Sequence, residues 1–248
     1  MLKIGATTGG PSFVDPIKDR IKHLLSIDNQ VIELGLLKSH RIENDSFFDE
    51  EDIYNLKQFK HVSIHAPGLF TCNDSEDSIK RPVRYPSKDT EFFIEKLIDI
   101  AKSVNARAIL FHPDLVDDFP WLNEKIGDLL VFENMDNLKK LGRTVEDMEK
   151  VFKQSPQSRW VCDINHIYTN DKTMKLADEF YAAFKDRLAY YHVSSYGDIH
   201  DCFSVTKEDT ILKGIKDISK PLVHEGGVLA EKGLFEKEIK YIEDKLNI

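Results

Sequence analysis

The chain has 248 residues, 41% of them hydrophobic and 31% charged, which is the composition of a soluble globular chain and excludes extended disorder. Its 34 Lys+Arg stand against 43 Asp+Glu, a formal charge of −9. That balance disfavours a broad basic grip on nucleic-acid phosphates, though it leaves room for a local basic cleft or for bound cations that invert the field at one place. No apolar run approaches the ~20 residues of a membrane helix, so no membrane partner is expected. The three cysteines Cys72, Cys162 and Cys202 are far apart and form neither a disulfide framework nor a CxxC zinc motif. A reducing cytoplasm is the expected compartment, and no protein partner is inferred.

The opening MLKIGATTGG reads as a first strand (1–6) and not as a secretory signal. VIELGL (31–36), HVSIH (61–65), ARAILFH (106–112), DLLVFE (128–133), RWVCD (159–163), LAYYHVS (188–194) and PLVHE (221–225) follow, each of strand length. Helical periodicity fills most of the intervals, over 15–25, 89–104, 144–153, 173–184, 208–218 and 231–246. PDLVDDFPWLNEKIG carries Pro113 and Pro120 and predicts a small or irregular helix. APGLFTCNDSEDSIKRPVRYPSK is long and rich in turn residues, and such loops in compact domains are usually functional or mobile. Eight strands alternating with helices predict an α/β chain folded as one (β/α)8 TIM barrel over residues 1–248.

Six consecutive strands end in a side chain that can bind a metal or move a proton: His65, His112, Glu133, Asp163, His192 and Glu225. The C-terminal strand ends are where barrel enzymes build their sites. Alternation places Ser63, Val131, Val161 and Val223 on the same faces as His65, Glu133, Asp163 and Glu225, and turns His224 outward. His166 follows in DINH, and YGDIHD supplies Asp198 and His200. Imidazole with carboxylate is the donor chemistry of zinc, manganese or iron. Nine donors exceed one ion's demand and suit two or three.

On SIHAP (63–67), FHPD (111–114), FEN (132–134), DINH (163–166), YHVS (191–194), DIH (198–200) and VHEGG (223–227), the sequence resembles the endonuclease IV family (AP endonuclease family 2) among the xylose-isomerase-like barrels. The resemblance implies a xylose-isomerase-like fold and a metal-dependent phosphodiesterase that cuts DNA at abasic sites, and so serves DNA repair, with three zinc ions. It implies as ligands, in family order, His65, His112, Glu133, Asp163, His166, His192, Asp198, His200 and Glu225. The family's HAP motif continues with a tyrosine and a leucine that wedge into the duplex. Here Gly68, Leu69 and Phe70 follow, then Asn73, Asp74, Glu76 and Asp77, and the step from His192 to Asp198 is shorter than in the family.

The resulting expectation is a metal-dependent phosphodiester hydrolase holding two to three Zn2+, or Mn2+ in their place. Glu133 and Glu225 would bridge the ions or orient the nucleophile, and the substrate is a phosphodiester, with damaged DNA one candidate. The alternative is a sugar isomerase or epimerase using one ion on Glu133, Asp163, His192 and Glu225, with the two glutamates moving protons at carbon. A non-catalytic binding protein that keeps the metal site is a third reading. The extra donors His65, His112, Asp198 and His200 favour the multinuclear site. Arg81 and Arg84, beside Lys88 in RPVRYPSK, offer planar forks for a phosphate or carboxylate of the substrate, or else form a solvated cationic segment. His23, His61 and His224 read as structural, Cys162 as core, and Glu33 as a residue of the barrel interior paired with a basic neighbour. His40 lies near the mouth with either role open.

Overall fold

The computed structural model describes residues 4–10, 12, 17–43, 48–71, 81–197 and 200–247. The strands are β1 (Ile4–Thr7), β2 (Val31–Gly35), β3 (His61–His65), the short antiparallel pair β4 (Leu69–Phe70) and β5 (Arg81–Pro82), β6 (Ala108–Phe111), β7 (Leu130–Glu133), β8 (Arg159–Asp163), β9 (Leu188–Val193) and β10 (Leu222–His224). All but β4 and β5 form a closed parallel barrel in chain order, with β10 returning to β1 through Ile4↔Leu222 and Gly5↔Val223. Around it lie α1 (Ile17–Ser26), α2 (His40–Glu43), α3 (Glu50–Leu56), α4 (Thr90–Val104), α5 (Phe119–Ile126), α6 (Val145–Gln154), α7 (Ile164–Asn170), α8 (Lys175–Phe184), α9 (Phe203–Thr206) and α10 (Leu234–Leu246).

The two-residue period of the strands divides the core into two layers. Val31, Ala108, Leu110, Val131, Val161, Tyr190 and Val223 fill the barrel interior as a cluster of their own. Ile32, Leu34, Ile64, Ile109, Phe111, Phe132 and Trp160 point outward into the larger layer shared with the helices. Helix starts are fixed locally. Asp49 and Asp52 form a capping box on α3, Asp118 accepts from the Trp121 amide at α5, and Thr144 accepts from the Asp147 amide at α6. At the end of β2, a Cβ on Gly35 would lie 2.4 Å from Gly9 Cα. Glycine there lets the segment after β1 close over the barrel mouth.

Two expected helices change. The stretch 208–218 contains only a 3₁₀ turn, Asp209–Gly214. Gly214 weakens a helix interior, and it abuts α7 so closely that a Cβ would come within 2.6 Å of Ile164 Cγ2. The Asp217 side chain then accepts from the Ser219 amide and turns the chain toward β10. The last helix begins at Leu234 and not at 231, because Gly233 takes a φ of 81° in the left-handed region. The expected first strand is described from Ile4 onward. Residues 1–3, residues 15 and 16 of the expected first helix, the segment 72–80 with Cys72, Asn73, Asp74, Glu76 and Asp77, and Asp198 lie outside the described residues. Phe70 is buried on β4, with the Arg81 guanidinium 4.0 Å from its ring centroid. No helix among the described residues is long and apolar enough to cross a membrane.

Candidate metal centre

The C-terminal strand ends bring two groups of donors together. The ligand atoms of His65, His112 and Glu133 lie within 4.8 Å of one another, and so do those of Glu133, Asp163, His192 and Glu225. Glu133, at the end of β7, belongs to both. Its Oε2 is 3.2 Å from His112 Nε2 and its Oε1 is 2.7 Å from His192 Nδ1. Glu225 Oε1 lies 3.2 Å from the same His192 nitrogen. A register shift between Trp160 and Val161 sets Asp163 level with His192 on the neighbouring strand. His65, His112, Glu133, His166, His200 and Glu225 line an open recess at the mouth, together with Thr7, Gly9, Gly10 and Leu37. The His166 and His200 rings lie 5.6 Å apart, centroid to centroid.

Most of these imidazoles are held by an outer partner on one ring nitrogen. His65 Nδ1 donates to Ala66 O at 3.1 Å and His166 Nδ1 to Asn134 O at 2.9 Å. His200 Nδ1 pairs with Ser194 Oγ at 2.8 Å, and His192 Nε2 with Glu33 Oε2 at 3.0 Å. Metal-binding histidines are oriented this way, by a backbone carbonyl, carboxylate or hydroxyl on the nitrogen remote from the ion. Asp163 accepts the His166 amide on Oδ1 as the N-cap of α7, while its buried Oδ2 has no hydrogen-bond partner. An unpartnered buried carboxylate oxygen within a ring of oriented imidazoles fits a divalent cation. Asn134 ties the strand ends together: its Oδ1 accepts from Trp160 Nε1 and the Asp163 amide, and its Nδ2 donates to Asp163 O.

The electrostatics carry the same signature. Burial opposes charge on His166, but the carboxylates of Asp163, Glu133 and Glu225 outweigh it and push the imidazole up to about 9. Burial likewise opposes charge on His192, yet Glu225, Glu33 and Glu133 raise it well above the ordinary histidine range. Glu133 is buried too, and the charges of His192 and His166 hold its carboxyl well below the usual range. Asp163 goes the other way: burial, reinforced by Glu133 and Glu225, raises it. The cluster gathers several carboxylates around largely buried imidazoles, a setting that favours positive charge.

No family model matches the chain, and no curated protein matches its sequence. Solved structures match over nearly its whole length. An AP endonuclease of family 2 from Brucella melitensis aligns with a TM-score of 0.64 at 13% identity, over 98% of this chain and 99% of that one. A D-allulose 3-epimerase from Methylomonas sp. in complex with D-allulose gives 0.62 at 13% identity, over 98% and 97%. A xylose isomerase domain protein from Alicyclobacillus acidocaldarius gives 0.57 at 13% identity, over 98% and 97%. The chain shares its closed parallel (β/α)8 barrel with these proteins. At these identities the likeness speaks for fold alone, and these barrels include both an endonuclease and an epimerase.

Of the nine donors expected from the sequence, the two close groups contain His65, His112, Glu133, Asp163, His192 and Glu225, and His166 and His200 adjoin them at the recess. Asp198 lies outside the described residues. Arg81 and Arg84 are not among the described residues lining the recess. Arg81 pairs with Asp89 at 2.5 Å, and the Arg84 guanidinium forks onto the Asp117 carboxylate and Asp114 O. His40 pairs with Thr71 Oγ1 at 2.8 Å. A third close group, Cys202, His224 and Glu238, is closed by its own hydrogen bonds. Because the Gly226 amide donates to His224 Nδ1, the other nitrogen carries the hydrogen and donates to Glu238, which leaves no lone pair on the ring for an ion. The sequence reading gave Asn134 and Ser194 no role. Both lie next to a site residue or one step from it in the matched motifs, and that adjacency is the signal that could have found them.

Proposed function

We propose that the protein is a metal-dependent phosphodiester hydrolase with a multinuclear centre at the barrel mouth. The observation that carries this reading is Glu133, whose two oxygens face separate donor groups, His112 on one side and His192 on the other. A carboxylate placed so can bridge two ions, and paired ions suit displacement at phosphorus. When bound, zinc or manganese would acidify a water and neutralise charge on the attacking and leaving oxygens. The chain's own residues do the rest. Glu225, partly exposed at the recess, is placed to hold or accept a proton of the attacking water. Glu33, Asn134, Ser194 and Ala66 O keep the imidazoles from turning. His166 and His200 face the same recess and are placed to contribute to a further ligand set.

The substrate is a phosphodiester of low duplex preference. The charge of −9 works against a tight grip on duplex phosphates. Leu69 and Phe70 form the short strand β4 paired with β5, and Phe70 is buried and so is not placed as a wedge. A second reading rests on Glu133, Asp163, His192 and Glu225, which form a complete four-donor set for one ion, as a sugar isomerase or epimerase would need. The test is to load the protein with zinc or manganese, measure metal per chain, and offer an aryl phosphodiester, single-stranded DNA, abasic duplex and a panel of ketoses. Two or more ions with phosphodiester cleavage supports the proposal. One ion with ketose interconversion and intact phosphodiesters overturns it in favour of the second reading.

A further inference from the structure

We infer that Glu33, deep in the barrel beneath the mouth, is a positioning residue that fixes His192 as a ligand of the central ion. The inference rests on the metal reading above and adds to it a residue outside the nine expected ligands. Glu33 sits on β2, fully buried, two residues from Val31 on the inward face. It is cut off from solvent inside the barrel, and no lysine or arginine contacts it among the described residues. A carboxylate in such a place is costly unless its charge is answered.

Its partners show where the answer comes from. Oε2 accepts from Ser63 Oγ at 3.1 Å, Tyr190 OH at 3.0 Å and His192 Nε2 at 3.0 Å, while Oε1 is buried with no hydrogen-bond partner. With its hydrogen committed to Glu33 through Nε2, His192 turns Nδ1 toward Glu133 Oε1 at 2.7 Å and Glu225 Oε1 at 3.2 Å. In the ion-free protein a proton on Nδ1 answers these two carboxylates, and when a cation takes its place Nδ1 and the two carboxylate oxygens offer it three donor atoms. The same contact makes Nδ1 a stronger donor, because the negative partner polarises the ring. Glu33 thus selects the tautomer, holds the ring plane and strengthens the bond, all from the side remote from the ion. A purely structural role, knitting β2, β3 and β9 together, would use the Ser63 and Tyr190 bonds as much as the His192 one.

The experiment compares wild type with Glu33→Gln, Glu33→Ala and Tyr190→Phe. It measures zinc affinity by chelator competition, metal per chain by elemental analysis, cobalt(II) absorption as a report on ligand geometry, and melting temperature without metal. Glu33→Gln keeps the shape and loses the charge, so the central ion weakens about 10- to 100-fold. Glu33→Ala weakens it further, and both retain the ion on His65, His112 and Glu133. Tyr190→Phe lowers the melting temperature but keeps the central ion. If Glu33→Gln does not fold, Glu33→Asp serves in its place: it retains the charge, draws it back from His192, and shows the same selective loss. Wild-type affinity in all the Glu33 variants that fold, or an equal loss in Tyr190→Phe, overturns the inference while leaving the metal reading intact. A wild type that takes up no ion overturns both.

Discussion

His65 ends β3 and His112 follows the paired strand β6, and their Nε2 atoms lie 3.0 Å apart. Since His65 gives its Nδ1 hydrogen to Ala66 O, its Nε2 presents a lone pair to His112, and Glu133 Oε2 stands 3.2 Å from the same His112 nitrogen. One cation shared by the three would satisfy all of them. His112→Ala is therefore expected to remove one ion per chain and leave the ion on Asp163, His192 and Glu225. Phosphodiester hydrolysis should fall at least about a hundredfold, ~2.7 kcal/mol in barrier. Elemental analysis alongside initial rates checks it, and an unchanged metal count would remove His112 from the ligand set.

Glu133 should behave differently from every other donor, because it belongs to both groups. Glu133→Gln keeps its volume and loses the charge between His112 and His192. Both ions should weaken together, and hydrolysis should drop by about a thousandfold or more, ~4 kcal/mol. Loss of one ion with the other held at wild-type affinity would show that the carboxylate does not bridge.

Strand number, closure and the placing of the site at the C-terminal mouth were legible because a buried parallel barrel imposes strong local patterns. Val131 beneath Glu133 and Val223 beneath Glu225 show the two-residue alternation that the sequence displays directly. Contacts that cross the barrel were not legible. Glu33 and His192 are 159 positions apart, and nothing local to β2 marks which basic group its carboxylate meets. The outward turn of His224 follows from alternation, but Glu238, which receives its hydrogen on α10, does not. The stretch 208–218 has helical periodicity and still folds as a 3₁₀ turn, because packing against Ile164 leaves no room at Gly214. Arg81 and Arg84 looked free in a loop, whereas Asp89 and Asp117 engage them only once the chain has turned back.

Glu238 gives a pH dependence with a definite sign. Fully buried on α10, it accepts the Phe203 amide at 2.6 Å and the Ser204 amide at 2.8 Å, besides His224. Burial disfavours its charge, but His224 and Ser204 hold the carboxyl below its ordinary 4.5. A depressed folded-state pKa means the stabilisation is present above 4.5 and is lost as pH falls through the folded value. Glu238→Gln should be less stable by ~1.5–3 kcal/mol near neutral pH, as for hydrogen bonds to a charged group. Its deficit should shrink as the pH drops below 4.5. Urea unfolding of metal-free protein across the acid range measures the gap, and a gap that does not change with pH would mean that the ionised form is not what holds α9 and α10 together.

The arginines of the long segment after β3 set the final test. Arg84 donates through Nε to Asp117 Oδ2 at 3.0 Å and through its other nitrogens to Asp117 Oδ1 and Asp114 O, so its planar fork is filled by groups of this chain. A guanidinium so engaged must break a bidentate pair before it can clamp a phosphate. The pair itself is about half exposed and should stabilise the fold by no more than about 1 kcal/mol. Arg84→Ala is thus expected to lower stability slightly and to leave KM for an aryl phosphodiester within about twofold, below ~0.5 kcal/mol in binding. Asp117→Asn frees the same guanidinium and is expected to leave KM equally unmoved. A tenfold rise in KM for Arg84→Ala, matched by a fall in Asp117→Asn, would show that the arginine leaves its carboxylate to meet the substrate.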